Sequence, residues 1–375
     1  MPTNHAVLSA SASDRWLHCP PSARLCENYE DKGSDYAAEG SNAHTLCEAR
    51  LKQALGIPTK DPVEDLSYYN EEMEECAQSY ASYMVEILES AKQTCADPVV
   101  MIEQRVDFSR WVKEGFGTAD CIIIADGVLN ICDYKHGAGI EVSAEGNSQM
   151  KLYALGALEI FDLIYDIDEV RMTIYQPRKA NISVASMSKS DLLKWAEEEL
   201  VHKAELAYEG LGDFSCGEWC RFCKAKAECR ERANANLALA KFEFQEPALL
   251  DDEEIADILG KVDALTAWAS DVKEYALRQA VSGKEWSGWK LVEGRSIRKY
   301  TSEALVASTV EDAGFDPYEK KVLGITAMQK MLGKSRFEEL LAPYLEKPQG
   351  KPTLVPISDK RTAINTAKND FMEEN

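Results

Sequence analysis

The sequence predicts an α/β fold, with three strands between residues 99 and 135, a fourth near 168–177, and long helices around them. Three observations carry this. Two apolar runs, 121–124 and 129–132, flank Asp126-Gly127, a pair that favours a two-residue primed hairpin turn. Apolar residues recur at helical spacing over 36–55 and 68–95, upstream of the strands. A further helical pattern near 146–160 separates the hairpin from the strand that ends at Pro177.

Taken in order, Ser11 or Ser13 can N-cap a short helix over 13–19, which stops at Cys19 because Pro20-Pro21 cannot continue it. The helices over 36–55 and 68–95 follow, then strands near 99–107, 118–125 and 128–135. If Asp126-Gly127 closes the hairpin, Ala125 faces Val128 and Asp120 lies opposite Asp133. Lys135 then points to the same face as Asp133, two residues further along. A helix near 189–210 leads into a cysteine-rich segment. After Arg232 the character changes, which divides the chain into regions 1–232 and 233–375, the second mainly helical. Asp251 to Val281 reads as one long amphipathic helix, its four leading acids suiting the positive N-terminal end. Residues 289–300 read as a strand pair carrying Lys290, Arg295, Arg298 and Lys299. Such a basic cluster could track a nucleic-acid backbone. Short helices between 302 and 343 and an extended tail from about 347 complete the chain.

Composition narrows the class. At 375 residues with 45% hydrophobic content, the chain can bury one large core or two modest ones. No apolar run of about 18 residues occurs, so no membrane span is expected. The N-terminus lacks a basic stretch followed by an apolar one, so no secretory signal is read, and the cytosol of a bacterial host is the expected location. A net charge of -22 argues against tight unassisted binding to duplex nucleic acid, yet it leaves room for a local basic groove or a helping partner.

Two constellations carry chemistry. In the hairpin, two carboxylates facing each other repel, and a divalent cation between them reverses that sign. An Asp followed by Asp-x-Lys at the rim of an interior sheet is the skeleton of a metal-dependent phosphodiesterase site. The second constellation is CGEWCRFCKAKAEC, residues 216–229. Eleven cysteines in a cytosolic protein do not suggest a disulfide framework, and Cys47, Cys76, Cys121 and Cys132 read as buried apolar residues. Cys220-x2-Cys223-x5-Cys229, however, lets three thiolates converge, and tetrahedral zinc and an iron–sulfur cluster both fit the ligand type. The fourth ligand is either Cys216 or Cys19, whose position at a helix end would clasp the two ends of one domain. Closing so long a loop stabilises by a few kcal/mol.

An upstream Cys-Pro, a nuclease-like hairpin and a terminal C-x2-C-x5-C occur together in a known group. The chain resembles the iron–sulfur RecB-like nucleases of the PD-(D/E)XK superfamily. It is similar to AddB, to CRISPR-associated RecB-like exonucleases, and more closely to a phage-borne family found near replication and recombination genes. The resemblance covers residues 1 to about 232, and GWKLVEGRSIRKY and KPQGKPTLVP also look typical of the phage family. It implies a PD-(D/E)XK core, a mixed central sheet flanked by helices. His44, one turn before Glu48 and downstream of Gly40, matches the group's helical metal-binding His. Asp120 in GTAD matches its metal-binding Asp. Asp133 and Lys135 match the acid and lysine of the D/E-x-K element, with the Tyr134 carbonyl offered to the metal. Gln149 and Tyr153 match a Q-x3-Y element on a helix over the site, and Glu103 matches an acid whose role varies. Implied too are Mg²⁺ or Mn²⁺, and a [4Fe-4S] cluster on Cys19, Cys220, Cys223 and Cys229, with zinc the alternative. The expected activity is a DNA exonuclease of phage-type replication or recombination. A different class, a DNA-binding scaffold working with a single-strand-binding protein or recombinase, keeps the fold without needing the acids.

Overall fold

The structure, a computed structural model, describes residues 6–30, 33–238, 250–293, 300–319, 321–346, 353–355 and 359. It divides into two compact units, Met1–Arg278 and Gln279–Asn375. The first is an α/β unit around a mixed five-stranded sheet.

The sheet order is β1 (Val99–Asp107), β2 (Phe116–Ala125), β3 (Val128–Tyr134), β4 (Glu169–Gln176) and β5 (Asn181–Ser188). All neighbours are antiparallel except β3 and β4, which run parallel. A parallel pair needs a crossover, and α5 (Ser148–Tyr165) supplies it. Both turn residues of the β2–β3 hairpin, Asp126 and Gly127, have positive φ, as a type I′ turn requires. The pairing Ala125 with Val128 through Cys121 with Cys132 follows from that turn.

Two helical layers cover the sheet. On one face, α3 (Asp35–Ala54) and α4 (Glu71–Ala91) bury Leu46, Leu51, Met73, Tyr80 and Met84 against Cys121, Ile123, Cys132 and Tyr134. The spacing of Met73, Cys76, Ala77, Tyr80, Ala81, Met84 and Leu88 puts them on one stripe of α4, and Asn70 caps it by accepting from the Met73 N–H. Each large side chain buried there stabilises by about 1.5–3 kcal/mol. On the other face, α5 packs Met150, Leu152 and Leu155 with Ile122, Ile124, Leu129 and Ile131. Into the same core come α1 (Ser13–His18), α2 (Ser22–Glu27), α6 (Lys189–Trp195) and α7 (Val201–Glu209), the last two joined by a π-type turn. Helix α1 ends at His18, with Cys19 and the two prolines following as the sequence predicts.

Three expectations are corrected. Strand β5 was not expected: its Ile182 and Val184 are half exposed at the sheet edge while only small Ala185 is buried, so its apolar pattern is inverted. The helix expected over 251–281 is two, α9 (Asp252–Leu259) and α10 (Val262–Val281), separated at Gly260, because glycine is a weak helix former. Between the cysteine segment and these, α8 spans Arg230–Leu237. Asp271 on α10 pairs with Arg232 at 2.6 Å and Lys226 at 2.8 Å, and neither α9 nor α10 has a buried residue. Residues 289–293 and Tyr300 form no strand. Lys290 is exposed, and Arg295, Arg298 and Lys299 lie outside the described residues. The second unit contains α11 (Glu303–Asp312), α12 (Ile325–Leu332) and α13 (Lys334–Leu341), with Phe337 buried.

Candidate metal centre

One row across the sheet departs from regular pairing. In β1 and β2, Ile102 pairs with Cys121 and Gln104 with Ala119, but Glu103 and Asp120 between them do not pair. Glu103 has a φ of 52°, a left-handed conformation rare for a residue with a side chain. Strict alternation would put Met101 and Val106 on opposite faces, and likewise Ala119 and Ile122. All four pack into the same core, so both strands change face at this row and the register survives. On the other side, the β2–β3 ladder stops at Cys121 and Cys132, one step short of the expected Asp120–Asp133 pair. Asp120 instead accepts a hydrogen bond from the Tyr134 N–H through Oδ2 at 2.6 Å.

Helix α3 brings His44 to this break. Its Nδ1 lies 3.2 Å from Asp120 Oδ1, and its ring meets Tyr134 edge-on. His44, Glu103 and Asp120 place three ligand atoms within 4.8 Å of one another, the sole such group among the described residues. Asp133 is not in that group. It is buried, with Lys135 Nζ 2.8 Å from its Oδ2 and Gln149 Nε2 donating to its Oδ1 at 3.0 Å. Gln149 also accepts from Lys135 at 3.0 Å and donates to the Tyr153 hydroxyl at 3.1 Å. Asp133 Oδ2 is buried against Lys135 in that ion pair, with no further hydrogen bond among the described residues. Gly117 permits this packing, because a Cβ there would lie 2.5 Å from Tyr153 Cε1.

The electrostatics describe a pocket short of positive charge. Burial alone would lower the His44 pKa, but Asp120 beside it and Asp133 beyond push it up to about 9. Burial, then Asp120, pushes Glu103 up to about 7. Burial likewise raises Asp133, with Lys135 opposing it. A group of acids that takes up protons in this way has the chemistry of a cation site.

The cysteines meet at the N-terminal end of the same unit. Cys19, Cys220, Cys223 and Cys229 line one small pocket, while Cys216 sits beside Cys220, its thiol pushed up to about 11 by burial and that neighbour. Sequence reasoning missed a further thiol, Cys26 of α2, whose Sγ lies 3.7 Å from Cys223 Sγ. Its one signal is position, since it follows Cys19 by two helical turns in a stretch that also carries Arg15 and Ser22. Arg15 Nη1 donates to Cys26 Sγ at 3.3 Å. The hydrogen bond with Cys223, helped by Arg15 against burial, lowers Cys26 to about 6.

The molecule is thus an α/β protein with a His/Glu/Asp triad, suited to a metal ion, at a break in its sheet. A family model described as "Protein of unknown function (DUF2800)" matches residues 5–362, and the chain belongs to that family. A solved structure titled "Crystal structure of SSO0001" is similar at 14% identity, covering 50% of this chain and 95% of that one, with a TM-score of 0.21. No helix among the described residues is long and apolar enough to cross a membrane.

Proposed function

We propose that the chain is a Mg²⁺- or Mn²⁺-dependent deoxyribonuclease, acting as an exonuclease in phage-type replication or recombination, on a PD-(D/E)XK core. The observation that carries the reading is the row Glu103, Asp120, Asp133, where β1, β2 and β3 exchange no pairing with one another, with His44 beside it and Lys135 two residues beyond Asp133.

Phosphodiester hydrolysis needs a deprotonated water in line with phosphorus and relief of charge on the developing oxyanion. His44, Glu103 and Asp120 would hold a divalent cation, and Asp133 Oδ2, ion-paired with Lys135, and the Tyr134 carbonyl would complete its shell. A bound cation lowers the pKa of its water and neutralises phosphate charge. Lys135, held by Asp133 and Gln149, orients the nucleophilic water or meets the phosphate oxygens. Gln149 and Tyr153 fix the lysine and Asp133 from the α5 side. The Cys19, Cys220, Cys223 and Cys229 pocket is assigned to a [4Fe-4S] cluster. Thiolate ligands suit zinc as well, which is the alternative occupant of that pocket. The acidic balance supports a partner, such as a single-strand-binding protein or recombinase, sharing the hold on DNA.

The test is anaerobic incubation of the protein with end-labelled single- and double-stranded DNA, with and without Mn²⁺. Mn²⁺-dependent loss of label supports the reading. Intact DNA in every arm, or equal cutting by Asp133→Ala protein, sinks it.

A further inference from the structure

Cys26 has no place in the C-x2-C-x5-C spacing, and the proposed reaction does not use it. Yet its Sγ lies 3.7 Å from that of Cys223, in direct contact, and both are buried. The hydrogen bond from Arg15 holds the Cys26 sulfur in that position. Cys26 lines a large cavity that it shares with Arg15, Trp219 and exposed Phe222, whereas Cys223 lines the small pocket with Cys19, Cys220 and Cys229.

We propose that Cys26 and Cys223 are a redox-modifiable thiol pair, which peroxide closes to a disulfide when the cysteine pocket holds no metal. A disulfide needs sulfurs about 2.05 Å apart, so closure requires each side chain to swing by less than about 1 Å. The Cys26 sulfur attacks one peroxide oxygen, the O–O bond breaks, and a sulfenic acid and water result. The Cys223 sulfur then attacks that sulfur, the S–O bond breaks, and a second water leaves. In sum, two thiols and one hydrogen peroxide give one disulfide and two waters. The bond removes Cys223 from the pocket, so oxidation and metal loading exclude each other. That last clause rests on the reading of Cys223 as a ligand; the pairing itself does not.

The experiment uses the full chain, stripped of metal, reduced, and exposed to hydrogen peroxide with or without prior loading with ferrous iron and sulfide. Free thiols are alkylated under denaturing conditions and the digest is read by mass spectrometry. Expected in the stripped protein is a Cys26–Cys223 linked peptide, with two of the eleven thiols lost and recovered by dithiothreitol. Prior loading should suppress the link, and Cys26→Ser should leave Cys223 alkylatable and iron content unchanged. Cys26 still alkylatable after peroxide, or Cys223 joined to Cys220 or Cys229, overturns the pair. So does Cys26→Ser lowering iron content as Cys220→Ser does, because Cys26 would then be a ligand. Should neither protein take up iron, the cluster assignment fails, and the linked peptide in the stripped protein alone decides the pair.

Discussion

Glu103 stands across from Asp120 at a row where β1 and β2 exchange no ladder pairing, and its backbone is left-handed in the middle of a strand. Such a conformation costs on the order of 1–3 kcal/mol and persists where the surroundings hold it for another purpose. Here it aims a carboxylate at His44 and Asp120.

Glu103→Gly should therefore stabilise the metal-free protein, since glycine adopts positive φ freely and the repulsion with Asp120 goes too. In a domain of this size about 1 kcal/mol raises Tm by roughly 2–4 °C. The same variant should lose most of the stabilisation that Mn²⁺ confers on the wild type. Scanning calorimetry in chelator and in Mn²⁺ checks both; a variant that melts lower in chelator and keeps the Mn²⁺ shift would show that Glu103 is no ligand.

Asp133→Ala should remove cleavage and also leave Lys135 an unpaired cation in a largely buried site, costing about 3 kcal/mol. Adding Lys135→Met should return most of that stability and none of the activity. Lys135→Met alone should slow cleavage by about 10²–10³-fold. If the double variant cuts DNA, the two residues serve the fold and not the chemistry.

Acidity should govern cation binding in two stages. A ligand imidazole must be neutral, so binding at His44 releases a proton at any pH below about 9. Below about 7, Glu103 releases a second. Apparent affinity for Mg²⁺ should thus rise about tenfold per pH unit between about 7 and 9, and more steeply below. Without a cation the trend in stability is opposite. The Glu103 contribution is complete below its ordinary 4.5 and gone above about 7, and that of His44 is complete below 6.5 and gone above about 9. The Tm difference between Mg²⁺ and chelator should widen from about pH 6 to about pH 9; a constant difference contradicts this assignment.

Two glycines should behave oppositely. Gly117→Ala drives a Cβ into the Tyr153 ring, so about 1–3 kcal/mol of stability should go, and cleavage with it as Gln149 loses its neighbour. Gly40→Ala in α3 meets nothing within 4 Å and should stabilise by up to about 1 kcal/mol. Denaturant melts of the two variants settle the contrast, and a destabilised Gly40→Ala would refute it.

Much of the sheet was legible because one turn determines it. Asp126-Gly127 sets the register of β2 on β3, and the helix caps Asn70 and Asn147 lie just ahead of runs with helical spacing. His44, Asp120, Asp133, Lys135, Gln149 and Tyr153 were readable as residues. Their bonding was not, because a left-handed glutamate inside a strand has no compositional signal and the simultaneous break in β2 conceals itself by preserving the register. Strand β5 escaped for the opposite reason, its apolar side chains pointing outward at an edge. Cys26 belongs to no motif of the sequence, and only the fold brings it to Cys223.

The docking of α1 and α2 against α7 has a consequence for biosynthesis. Trp16 and Leu17 leave the ribosome early, but the helix that covers them follows roughly 190 residues later, on the order of 10–40 s at ordinary translation rates. During that interval the nascent chain carries a sticky leading end, so the first segment synthesised is among the last to find its seat.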